Sequence, residues 1–128
     1  MPQIDIGTLV FGDVVRGDAL DVAFNLVTDL DLTGLTMYAE VRKDQDMPVV
    51  LSFEEPYTLI KTALPDEDNL HVWGVGFRRD AEDMDIPIGV YQMQLIVGTL
   101  PDFSDKTTIA KGEFNVVKEI TQKPVHNG

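Results

Sequence analysis

Asp29, Asp31, Thr33, Gly34 and Glu40 fall at positions one, three, five, six and twelve of a calcium-loop template. That spacing would gather carboxylate and hydroxyl oxygens around a hard cation, with the glycine making the sharp turn. Two features oppose it. Leu30 and Leu32 occupy places that such a loop exposes, and both flanks read as strands where the motif needs helices. The competing reading is a strand-to-strand turn: Leu30 and Leu32 pack inward, Thr33-Gly34 turns the chain, and Glu40 points to solvent. The turn is the expectation here, with no resident metal and no cofactor.

The other reactive residue types are thinly spread. A serine hydrolase would have to combine Ser52 or Ser104 with His71 or His126, and neither serine lies in a G-x-S-x-G nucleophile elbow. Two histidines without paired spacing do not make a transition-metal site. No glycine-rich loop followed by Lys-Ser or Lys-Thr offers a phosphate cradle. Cysteine is absent, which removes thiolate metal sites, disulfides and cysteine nucleophiles. The 22 acidic residues supply many carboxylate pairs, but glycoside hydrolysis depends on a separation that sequence does not give. The chain is therefore expected not to be an enzyme. Arg16-Gly17-Asp18 spells an integrin-recognition tripeptide, yet Gly17-Asp18 between two strand candidates is also what a tight hairpin needs, and the hairpin is the expectation.

The elements that would position such residues are nearly all strands. Leu20, Val22, Phe24 and Leu26 alternate with smaller or polar residues, a period of two that sends large apolar side chains to one face. Met37, Ala39 and Val41 do the same, as do Tyr91, Met93, Leu95 and Val97, and Ile109 to Val117 carries β-branched residues around Gly112 and Phe114. Shorter candidates are Thr8 to Phe11, Val49 to Phe53, Tyr57 to Leu64 and Leu70 to Phe77, each bounded by Pro, Gly, Asp or Asn. Pro65 to Asn69 and Pro101 to Lys106 read as hairpin tips or loops. One helical turn, Arg79 to Met84 with Asp80 as N-cap, precedes Pro87. The pattern predicts an all-β, immunoglobulin-like antiparallel sandwich of about seven to nine strands with at most one short helical turn.

At 128 residues one domain is expected, 1–120, with an N-terminal arm over about 1–8 and a flexible tail at 121–128. A net charge of −12 and a pI near 4.3 repel phosphate backbones and anionic lipid, so neither nucleic acid nor membrane is an expected partner. Met1 to Ile6 lacks the basic region of a secretory signal, and no apolar run approaches the length of a membrane helix.

On the strand around Trp73, His71, Trp73, Val75 and Phe77 share one face and Leu70, Val72, Gly74 and Gly76 the other. Trp73 is expected in the core. Exposed instead, with Tyr38 or Tyr57 nearby, it would make an aromatic platform for a sugar or a receptor, the alternative reading. Gly74 and Gly76 weaken a strand unless another backbone approaches there.

The succession of short motifs adds a resemblance. Ile6-Gly7-Thr8, Arg16-Gly17-Asp18 leading to Val22-Ala23-Phe24, and Leu32-Thr33-Gly34 before Ala39-Glu40-Val41-Arg42 come first. Ile88-Gly89-Val90-Tyr91, Lys111-Gly112-Glu113-Phe114-Asn115-Val116 and Ile120-Thr121 follow. In order and spacing they resemble the bacteriophage virion β-sandwich found at the N-terminus of upper baseplate proteins and in related small tail or particle-surface proteins. The chain departs from upper baseplate proteins in ending at residue 128. The resemblance implies a non-enzymatic tail or baseplate accessory, connector or capsid decoration, located in the virion after synthesis in the host cytoplasm. Its partners would be other virion proteins and further copies of itself, docked through sheet edges and terminal arms. Ile4, Ile6 and Leu9 in the arm, Trp73, Gly74 and Gly76 on the strand, and Val125 in the tail are the interface candidates.

Overall fold

The computed structural model describes residues 7–10 and 12–118. Nine strands lie among them: β1 (Gly7–Val10), β2 (Val14–Val15), β3 (Leu20–Thr28), β4 (Thr36–Arg42), β5 (Val49–Glu54), β6 (Leu59–Glu67), β7 (Leu70–Arg79), β8 (Gly89–Gly98) and β9 (Thr107–Val117). One 3-10 turn, Ala81–Met84, is the sole helical element among the described residues. The strands form an immunoglobulin-like sandwich. One sheet runs β1-β9-β8-β4-β5, with β2 also on β9; the other runs β3-β7-β6.

Period-two patterning accounts for the core. Met37, Ala39 and Val41 of β4 are fully buried, and Tyr91, Met93, Leu95 and Val97 of β8 face the same way. Trp73, Val75 and Phe77 of β7 meet them from the opposite sheet. Phe77 packs between Phe53 and Phe24, with ring centroids 4.9 Å and 5.7 Å away. Trp73 is 8% exposed, so it lies in the core as expected and is no exposed interface residue.

Four expectations need correction. The sandwich is not wholly antiparallel: β1 and β2 run parallel to β9. Short connections force antiparallel pairing only on strands consecutive in sequence, whereas nearly the whole domain separates β1 from β9 and serves as the crossover. Arg16-Gly17-Asp18 is a turn but not a hairpin. Asp18 N donates to Val15 O at 3.1 Å with Gly17 at φ +83°, a type II pattern that carries the chain from β2 in one sheet to β3 in the other. Asp80 stands at the N-cap position without a capping side-chain bond. Its carbonyl instead closes the turn, accepting from Asp83 N at 3.0 Å. Finally, β1 opens at Gly7, one residue before the expected strand start at Thr8 and inside the segment expected as the arm.

The β6–β7 connection is tighter than expected. Strand pairing runs to Glu67, and only Asp68 and Asn69, at φ 48° and 65°, make the two-residue turn. Gly112 is the glycine that a close approach demands. A Cβ there would collide with the Leu9 carbonyl oxygen where β1 crosses β9.

Candidate docking surfaces

The catalytic combinations stay apart. Ser52 sits on β5 and Ser104 in the β8–β9 loop, and no hydrogen bond joins either to His71 among the described residues. His71 Nδ1 lies 3.5 Å from Asp66 Oδ1, a surface contact. His126 lies outside the described residues.

The calcium template is also divided. Asp31 Oδ1 accepts the Thr33 N–H at 2.9 Å, and the Thr33 hydroxyl and N–H together hold the Asp31 carboxyl below its ordinary pKa. Gly34 turns at φ +79° and Leu32 is fully buried. Glu40 is on β4, where Oε1 accepts from Arg42 Nη2 at 3.2 Å. Among the described residues no three His, Asp or Glu side chains are grouped to hold a metal ion.

Of the interface candidates, Ile4, Ile6 and Val125 lie outside the described residues. Leu9 is 6% exposed and part of the core, so β1 presents backbone there and not this side chain. Gly74 and Gly76 are half-buried in the middle of the three-stranded sheet. A Cβ at Gly74 would meet Leu64 Cδ1 at 3.5 Å, and one at Gly76 the Val22 carbonyl oxygen at 3.7 Å. Both are ordinary contacts, so nothing inside the fold requires glycine at either place. The outer face around them carries Ala23, Asn25, Ile60 and Thr62 and no charge until Asp21 and Arg78 at one end.

The strand edges differ sharply. At β5, Arg79 Nη2 donates to Ser52 O at 2.6 Å, with its guanidinium 5.8 Å from the Phe53 ring centroid and 3.7 Å from Asp83. That edge is stoppered by a charged side chain. β6 ends in Pro65, Asp66 and Glu67, which blunt it in the same way. β3 has neither device. From Val22 to Thr28 it is uncharged, one side is paired to β7, and no described strand pairs with the other.

Beside this edge runs a groove of about 470 Å³ between the two sheets, lined by Leu9, Gly12 and Ala110 on one side and Val22 to Val27 on the other. Val22, Phe24 and Leu26 point toward the core but remain half-buried, while their β7 neighbours Phe77, Val75 and Trp73 are closed off. The row is what a further strand beside β3 would cover.

A second concavity of about 470 Å³ lies on the outer face of the larger sheet, where Tyr38, Glu40, Ser52 and Glu54 face the β8–β9 loop. Asp105 braces that loop: its two oxygens accept the Thr99 N–H at 2.7 Å and the Thr99 hydroxyl at 2.6 Å, which holds its carboxyl below the ordinary pKa. Phe103, at φ 51°, meets Tyr38 edge to face with centroids 5.0 Å apart. Burial, reinforced by Glu40, raises the Tyr38 pKa. The alternation in β4 places Tyr38 outward, but the sequence did not bring Phe103 to it, because that contact depends on how loop 99–106 folds.

No family model matches the chain, and no curated protein does. Among solved structures it is similar to the natural killer cell receptor Nkp44, at 13% identity and a TM-score of 0.37, covering 89% of this chain and 98% of that one. It is also similar to the RIG-5 IG1 homodimer, at 18% identity and a TM-score of 0.31, covering 83% and 88%. At identities and scores this low neither similarity carries an argument about this chain.

Proposed function

We propose that this chain is a non-enzymatic structural adaptor of a bacteriophage particle, a tail or baseplate accessory, connector or capsid decoration, present in several copies and held to other virion proteins by sheet-edge contacts. The observation that carries the docking mode is the β3 edge, which no described strand pairs, with its half-buried row Val22, Phe24 and Leu26. An unpaired strand flanked by uncovered apolar side chains favours addition of an extended segment, with main-chain hydrogen bonds supplying affinity and side-chain pockets specificity. The succession of motifs from Ile6-Gly7-Thr8 to Ile120-Thr121 supports the virion setting. The sugar platform around Trp73 is not retained, since the indole is enclosed; Tyr57, 80% exposed, remains without a stacked aromatic neighbour among the described residues.

The test is incorporation of a tagged chain into particles purified from an induced lysate. Ala23→Lys and Val27→Lys place charges beside the groove at exposed positions, so they should leave the melting temperature unchanged and abolish incorporation. Wild-type chain absent from purified particles would refute the virion reading. Incorporation of both variants at the wild-type level would refute the β3 edge as the docking site.

A further inference from the structure

We propose that the concavity on the outer face of the larger sheet, walled by Tyr38 and Phe103 and carrying the carboxylate of Glu54, receives an arginine side chain of a partner protein. This site lies on a different sheet from the β3 edge and stands independently of it.

The lining is not simply acidic. Glu40 is engaged by Arg42 at 3.2 Å. Glu55 Oε1 accepts the Met37 N–H at 2.6 Å and lies 3.8 Å from Lys61 Nζ, whose side chain is 9% exposed. That leaves Glu54, whose carboxylate has no hydrogen-bond or ion-pair partner among the described residues, although its backbone N–H is taken by the Thr58 hydroxyl. In the β4–β5 ladder Glu54 stands directly opposite Tyr38. Directly paired residues hold their Cβ atoms about 5 Å apart, so a ring and an unneutralised carboxylate border the same space.

That pair matches a guanidinium better than an ammonium. A planar guanidinium can lie against an aromatic ring while offering two parallel N–H groups to a carboxylate; an ammonium is a compact, strongly hydrated point charge. The hydrocarbon stem also finds a surface. Leu100, 60% exposed on the braced loop, and Val49, 37% exposed on β5, flank the concavity. The net charge of −12 draws a cationic partner toward the whole surface, and Glu54 gives it one place to settle.

The experiment titrates the full, isotope-labelled chain with acetyl-Gly-Arg-Gly-amide, and in parallel with the lysine and citrulline peptides, following amide shifts. Saturable shifts should concentrate at Tyr38, Ser52, Glu54 and Phe103. The arginine peptide should bind roughly fivefold or more tighter than lysine, with no saturation by citrulline. Glu54→Gln should weaken arginine binding by a similar factor. Glu113→Gln removes the same charge from an exposed position on β9 and should leave binding unchanged. Absence of saturable shifts at the four positions, equal binding of lysine, or equal weakening by the two glutamine variants would each overturn the proposal. Unchanged melting temperatures for both variants exclude a folding defect as the cause.

Discussion

Alanine at Gly112 should release β1 from the sheet, while alanine at Gly74 or Gly76 should cost almost nothing. At Gly112 the new Cβ would overlap the Leu9 carbonyl oxygen and come within 2.7 Å of Leu9 Cβ, both parts of a neighbouring strand that cannot rotate away. β1 has to retreat, and Leu9, 6% exposed, comes out of the core with it. Uncovering a buried leucine costs about 1.5–3 kcal/mol, and weakening the short parallel ladder adds about 1 kcal/mol, so the total is about 2.5–4 kcal/mol. At Gly74 and Gly76 the nearest atoms are 3.5 Å and 3.7 Å away. There alanine removes the conformational freedom that makes a strand glycine unfavourable by about 0.5–1 kcal/mol, so stability should hold or rise slightly. Urea unfolding of the three variants gives the comparison directly, with m-values checked for constancy. A Gly112→Ala protein within about 0.5 kcal/mol of the wild type, the range of an ordinary surface substitution, would refute the reasoning. So would a Gly74→Ala protein that loses as much as Gly112→Ala.

Two further outcomes follow from the core and the β8–β9 loop. Phe77→Ala removes the ring that joins Phe53 to Phe24 and should destabilise the chain by about 3–5 kcal/mol in the same urea assay. Because the folded-state pKa of Asp105 is depressed, its brace on Thr99 is intact above the ordinary carboxylate pKa and is lost as pH falls through the depressed value. Amide exchange at Thr99 should therefore accelerate in acid beyond the intrinsic pH trend, and Asp105→Asn should show the fast rate at neutral pH.

The strands were legible because their signal is local. The alternation in Leu20 to Leu26, Met37 to Val41 and Tyr91 to Val97 states which face is buried, and each was found as a strand with that face inward. Val14–Val15 escaped notice because a two-residue strand has no period to detect. Parallel pairing of β1 with β9 joins the two ends of the domain, and nothing in either segment names its partner. The same limit hid the candidate sites. Val22, Phe24 and Leu26 read as an ordinary core row, and only the topology makes β3 an edge that leaves them half covered. Gly74 and Gly76 stand out in the sequence as glycines within a strand, yet the structure gives both only ordinary contacts. The glycine with a steric necessity proved to be Gly112, whose constraint comes from a strand about a hundred residues away in sequence.

The β3 edge is the proposed contact with the particle, and site-specific photocrosslinking measures that contact most directly. A photoreactive phenylalanine analogue is placed at Ala23 beside the groove, and separately at Glu82, exposed on the 3-10 turn and outside the lining of both proposed docking surfaces. Both chains are irradiated within purified particles. A discrete crosslinked product to another virion protein, or to a second copy, is expected from position 23 and none from position 82. Crosslinking from position 82 alone would contradict the β3 edge as the contact.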